Sequence, residues 1–137
     1  MSVELNHTIV PAKDKWASAR FLADILGLEV GAPWASFAPL PLGNGVTLDY
    51  AERSTMSSQH YAFLVSDAEF DAALARIKSA GVKFFAEFDR TGEGEINHLY
   101  GGRGVYFHDP NGHMMELITA PYGAEPELWV NGKAVKR

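Results

Sequence analysis

Apolar positions along the chain fall into two rhythms, one helical and one extended, and the pair occurs twice. From Lys15 to Leu26 the residues Trp16, Ala19, Leu22, Ala23 and Leu26 form a stripe at helical spacing. Asp14 stands where an N-cap is wanted, and Gly27 where a helix stops. Phe70, Ala73, Leu74 and Ile77 form a second stripe, bracketed by Asp67 as N-cap and Gly81 at the left-handed position after the last turn. A short strand precedes each helix, around His7 and around His60. Extended stretches follow: "APWASFAPLPL" and "GVTLDYAE" after the first, then "VKFFAEFD", "INHLYGG", "GVYFH" and "HMMELIT" after the second. The pattern predicts β-α-β-β-β, twice.

The spacing of the repeat is close. Asp14 follows His7 by seven residues, as Asp67 follows His60. Gly27 lies 13 residues beyond Asp14, and Gly81 lies 14 beyond Asp67. The fold class that follows is α+β: two βαβββ modules, each with a helix on one face of a curved, mixed or mostly antiparallel sheet. The other face must also be covered, and two such sheets side by side form a cleft lined by matching strands. Residues 1–122 are expected as one domain, with modules over about 4–52 and 58–120 and a C-terminal tail over 123–137. The segment from Pro121 is broken by Gly and Pro and lies outside the repeat; Leu128 and Trp129 are expected to dock it onto the body.

Composition narrows the chemistry. A hydrophobic fraction of 47%, with 8 Phe, 3 Trp and 5 Tyr, suffices for a real interior. A net charge of -5 argues against nucleic acid or a membrane surface as partner. With no cysteine, disulfides, thiolate metal sites and a cysteine nucleophile are excluded, so any metal is held by nitrogen and oxygen. The opening "MSVELNHTIV" lacks a basic stretch followed by an apolar one, and no run reaches membrane-spanning length. The expectation is a soluble cytoplasmic protein acting on a small molecule.

One residue conflicts with its surroundings. Glu116 is the lone carboxylate in the apolar run "MMELI", where a charge needs water, a cationic partner or a metal. The preceding Asp109-Pro110-Asn111-Gly112 reads as a type I turn closed by glycine in the left-handed conformation. Such a loop pairs Asp109 with His113 and sets Tyr106 directly across from Glu116, on the same face; a register step of one would part them. His7 and His60 sit at the same place in the two repeats and would face each other across the cleft. Two histidines and a carboxylate form the facial arrangement of non-haem iron sites, which also accepts manganese, nickel or zinc. His108 and His113 flank the turn and are expected to be solvated.

The doubled unit, His7 and His60 on their strands, and "GVYFHDPNGHMMELI" ending in Glu116 closely resemble the vicinal oxygen chelate superfamily. That group includes glyoxalase I, extradiol ring-cleaving dioxygenases and bleomycin- or fosfomycin-resistance proteins. The resemblance covers about residues 4–122. It implies one divalent ion held by His7, His60 and Glu116, with Fe2+ or Mn2+ favoured and Zn2+ or Ni2+ as alternatives. It also implies a homodimer, often with modules of two chains completing each cleft. Glyoxalase I adds a carboxylate ligand on the last strand of its first module. Here that place falls on Thr47 or Asp49, according to whether the strand is aligned by its tyrosine or by its glycine. Three protein ligands are favoured, with Asp49 as a substrate contact. The dioxygenases carry a tyrosine ten residues before the glutamate ligand, as Tyr106 stands before Glu116. They also use nearby histidines for acid–base work, for which His98 is the best placed. Arg103, in "GGRG", could meet an anionic substrate group.

The leading expectation is therefore a metal-dependent enzyme acting on a small substrate with two neighbouring oxygens. Dioxygenase-type chemistry ranks slightly ahead of a glyoxalase-like lyase or isomerase. A fosfomycin-type transferase ranks behind both, since Arg103 stands nearly alone as a basic group. The rival from another class is a protein that sequesters an antibiotic or other planar ligand, stacking it on Trp34, Phe37, Tyr61 and Phe63. The presence of all three ligands counts against that rival.

Overall fold

The computed structural model describes residues 2–122, 127–130 and 133–136. Its elements run β1 (His7–Ala12), α1 (Lys15–Leu26), β2 (Ala38–Pro41), β3 (Thr47–Glu52), β4 (His60–Leu64), α2 (Asp67–Ser79), β5 (Phe84–Phe85), β6 (Gly104–His108), β7 (Met114–Ile118), β8 (Glu127–Val130) and β9 (Lys133–Lys136). They divide into two units, one of residues up to Ser58 with the turn Asp109–Asn111, the other of Gln59–His108 and the chain from Gly112 on.

In the first unit α1 begins where the sequence places it, with Asp14 Oδ1 accepting from Ala17 N at 3.0 Å, and ends on Gly27 at φ 71°. It covers a mixed three-stranded sheet of order β1-β3-β2, β1 parallel and β2 antiparallel to the central β3. This is one strand fewer than predicted. The stretch "APWASFAPLPL" spends its first half on a turn bridged between Trp34 and Phe37, and only Ala38–Pro41 pairs as a strand. Its prolines lack donors for a second ladder, which confines β2 to the edge. Alternation decides the faces. Val10, Ala12, Leu40, Leu48 and Tyr50 are buried, as are Ala19, Leu22, Ala23 and Ile25 of the helix. Asn111 belongs here too: its Oδ1 accepts from Lys13 N and its Nδ2 donates to Ser18 Oγ, each at 2.9 Å.

In the second unit the helix starts one residue earlier than expected. Ser66, not Asp67, is the N-cap. Ser66 Oγ accepts from Glu69 N at 3.1 Å while Glu69 Oε1 accepts from Ser66 N at 2.8 Å, a reciprocal capping box. Those bonds hold the Glu69 carboxyl below its ordinary range. The helix ends as anticipated, with Gly81 at φ 69°. The sheet has order β4-β7-β6-β5, with β4 parallel to β7 and the rest antiparallel. Val105, Phe107, Met115 and Leu117 point to one face with no exposure, joined in the core by Phe70, Ala73 and Ile77 of α2. "INHLYGG" is not a strand. Asn97 bridges Gly104, and a single 3-10 turn follows at Leu99–Gly101. A Cβ at Gly104 would lie 2.5 Å from Asn97 Oδ1, so only glycine permits that approach.

β8 and β9, in the tail that the sequence sets outside the repeat, form an antiparallel pair. The expected docking of Leu128 and Trp129 lies outside the described side chains. Two small mixed sheets with two helices give the expected fold class. Among the described residues, no helix is long and apolar enough to cross a membrane.

Candidate metal centre

The hairpin of β6 and β7 sets the centre of the second unit. Asp109 Oδ1 accepts from Asn111 N at 2.9 Å, and Gly112 takes φ 83°, closing the turn as the sequence predicts. The ladder then pairs Tyr106 with Glu116 and brings both onto one face. β4 pairs with β7 on its other side, setting His60 opposite Met114 and Ala62 opposite Glu116. His60 and Glu116 thus become diagonal neighbours. Their side chains meet, with His60 Nε2 3.0 Å from Glu116 Oε1.

The second ring nitrogen decides what this contact is. His60 Nδ1 faces the Met114 carbonyl oxygen at 3.2 Å. Both nitrogens therefore face oxygen acceptors. With its hydrogen on Nδ1, a neutral imidazole would aim the Nε2 lone pair at the carboxylate, and two acceptors opposed at 3.0 Å need a shared proton or a metal ion between them. A proton answers that need, giving an imidazolium–carboxylate pair; a divalent ion answers it equally. The backbone carbonyl on Nδ1 is the usual way of presenting Nε2 to a metal. The carboxylate is nearly buried while the imidazole side chain is 39% exposed, so the pair opens to solvent on the histidine side.

Burial pushes the Glu116 carboxyl above its ordinary range, opposed by the His60 charge and by hydrogen bonds from Tyr106 and His60. Tyr106 donates to Glu116, and burial together with that carboxylate pushes its phenol up. It stays a neutral donor. Tyr100 lies close enough for Glu116 to raise it as well, after burial. Phe88 stands over the group, edge-on to His60 at 5.2 Å and to Tyr106 at 5.8 Å, with 56% of its surface exposed.

The first unit carries the repeat-related half. β1 and β3 pair His7 with Thr47 and Ile9 with Asp49, as β4 and β7 pair His60 with Met114 and Ala62 with Glu116. Asp49 therefore occupies the register position of Glu116, and Thr47 that of Met114. Within the repeat, this register matches the glycine-based alignment, which puts Asp49 in line with Glu116. Asp49 is buried, in register with Ile9 of β1 and Pro39 of β2. His7 is exposed, with Nδ1 2.7 Å from Asn6 Oδ1. Among the described residues, no three His, Asp or Glu side chains of the chain gather where they could hold a metal ion. The chain brings His60 and Glu116 together; His7 and Asp49 share a face of the other unit's sheet.

Other expected residues lie elsewhere. Arg103, expected at an anionic substrate group, instead crosses to the first two turns of α2. There it bonds Asp71 at 2.7 Å and Asp67 at 3.0 Å and stacks over the Phe70 ring. His98 is exposed, its Nδ1 3.2 Å from the Gly102 carbonyl oxygen at the 3-10 turn. Of the proposed stacking surface, Phe63 is in the core, while Trp34 is exposed. His113 is not solvated: it is fully buried and accepts from Gln59 N at 3.0 Å. Tyr100 and Phe88 were missed. The positive φ of Tyr100 beside two glycines marks a tight turn, but nothing local shows which way its ring points.

Comparison with known proteins finds relatives over most of the chain. The family model described as Glyoxalase/Bleomycin resistance protein/Dioxygenase superfamily matches residues 4–117. The solved structure of Oxidase ChaP-H2 is 56% identical, with TM-score 0.88, covering 90% of this chain and 98% of its own. Oxidase ChaP-H1 is 51% identical, with TM-score 0.86, covering 89% and 99%. Glutathione transferase FosA of Serratia marcescens is 33% identical over 131 residues, 90% of this chain and 86% of that protein.

Proposed function

Because the chain belongs to the Glyoxalase/Bleomycin resistance protein/Dioxygenase superfamily, we propose that it is a metal-dependent enzyme whose ion is held by His7, His60 and Glu116. The observation that carries this reading is the His60–Glu116 contact, where an imidazole nitrogen and a carboxylate converge on a spot that a metal ion can fill. The donor set fits: imidazole nitrogen and carboxylate oxygen, with no thiolate, suit iron, manganese, zinc or nickel. The proposed site takes His7 from a second copy of the chain, in a homodimer, in keeping with the resemblance, which implies modules of two chains completing each cleft.

The substrate proposed is a small molecule with two neighbouring oxygens. When bound, the ion supplies Lewis acidity to those oxygens. The chain's own groups do the rest. Tyr106, kept protonated, donates to Glu116 and can accept from the nearest substrate hydroxyl. Phe88 and Tyr106 wall the site with apolar surface. Asp49 contacts the substrate and can take its proton, and His98, open to solvent, exchanges protons with the medium. Arg103 is left out, because Asp67 and Asp71 already engage it.

Oxidative chemistry with iron or manganese is the favoured form, supported by 56% identity to a protein named an oxidase against 33% to one named a glutathione transferase. A second reading, glyoxalase-like proton transfer with zinc or nickel, draws on Asp49 standing in the register position of Glu116. Subunit complementation tests the shared site. His7→Ala and Glu116→Ala are each expected to lose metal, and a mixture refolded together should regain metal in part of its dimers. No recovery in demonstrated mixed dimers would contradict sharing.

A further inference from the structure

We infer that His113 is the positioning residue that holds His60 ready for its ligand; the inference rests on reading His60 as a metal ligand. β4 is an edge strand, and His60 is its first residue. The first residue of an edge strand frays unless something outside the ladder ties it down. His113 ties it on both sides. Its Nδ1 accepts the backbone N–H of Gln59 at 3.0 Å, just before His60, and its ring meets the Tyr61 ring at 5.8 Å and 87°, just after. The next residue along, Met114, donates its own N–H to the Gln59 carbonyl at 2.8 Å and offers its carbonyl oxygen to His60 Nδ1. His113 and Met114 therefore fix the backbone that carries His60 and the tautomer of its ring.

The bond to Gln59 also fixes His113 itself. Its Nδ1 must be the acceptor, so the ring carries its hydrogen on Nε2. Full burial leaves water no means of replacing that bond. Asparagine puts a carbonyl oxygen on the same Cγ and can supply the acceptor; leucine cannot.

The test compares wild type, H113N, H113L and, as a core control remote from the turn, I77A. Cobalt(II) affinity is measured by chelator competition on the full chain, together with the melting temperature and long-range nitrogen–proton spectra of the metal-free histidine rings. H113L should bind cobalt about 10–100-fold more weakly and change the His60 ring signals, whereas H113N should stay within about threefold of wild type. I77A should melt earlier with unchanged cobalt affinity. Wild-type affinity and unchanged His60 signals in H113L would overturn the inference, as would an equal loss in I77A. Should H113L fail to fold, H113N decides, since a loss of about tenfold there would overturn the role of the acceptor. If wild type binds no cobalt, the metal reading falls separately, and the His60 ring signals of the metal-free variants still decide whether His113 positions that ring.

Discussion

The two units share a plan and differ in how finished their sites are. Each has a strand histidine, a capped helix, and a carboxylate at the same ladder position, Asp49 in one and Glu116 in the other. In the second unit the pair is assembled: His60 touches Glu116, and Tyr106 supports the carboxylate from the next strand. In the first, the His7 ring bonds its neighbour Asn6, and Asp49 is buried. Duplication keeps the scaffold while the side chains diverge. In the proposed site His60 and Glu116 of the second unit hold the ion together with a His7, and Asp49 of the first unit is the proton-transfer group.

The sharpest way to break that contrast is to remove each carboxylate in turn. Glu116→Ala should abolish metal binding, while Asp49→Asn should keep the metal and lose about a hundredfold in turnover, as expected for a proton-transfer group. Metal content and kcat on the same preparations check both; metal loss in both would make the two halves alike. Tyr106→Phe should likewise keep metal and lower kcat by about a hundredfold, and unchanged kcat would reduce the phenol to a wall. Smaller is the effect on apo stability. Ionising Glu116 costs the folded state, because its folded pKa is raised; wild type should therefore trail Glu116→Gln at neutral pH. That gap should close as pH falls through the raised value toward the ordinary 4.5, measured by denaturant unfolding at a series of pH values. Smallest are the caps. Asp14→Ala and Ser66→Ala should each cost about 1 kcal/mol of stability, equally in the two units, since the scaffolds match where the sites do not.

Much of this was legible where the physics is local. The turn Asp109–Gly112 set the register, and the register put Tyr106 beside Glu116. The stripes, the Asp14 cap and the glycine stops were likewise local. What escaped depends on distant partners. Ser66 and Asp67 are both good caps, and Glu69 three residues beyond Ser66 was the signal that should have decided. His113 beside a turn reads as solvated until β4 folds over it. Arg103 meets Asp71, 32 positions away in sequence, a pairing no local pattern announces. That Asp49, and not Thr47, shares the register place of Glu116 needed the β1–β3 ladder.

The most direct test of the central claim is metal content by mass spectrometry on protein purified without oxygen, with His7→Ala, His60→Ala and Glu116→Ala alongside. The account predicts about one iron or manganese per chain in wild type and little in each variant, with the variants folded. Wild-type protein that binds no divalent ion even after reconstitution, or variants that keep a full complement, would contradict it.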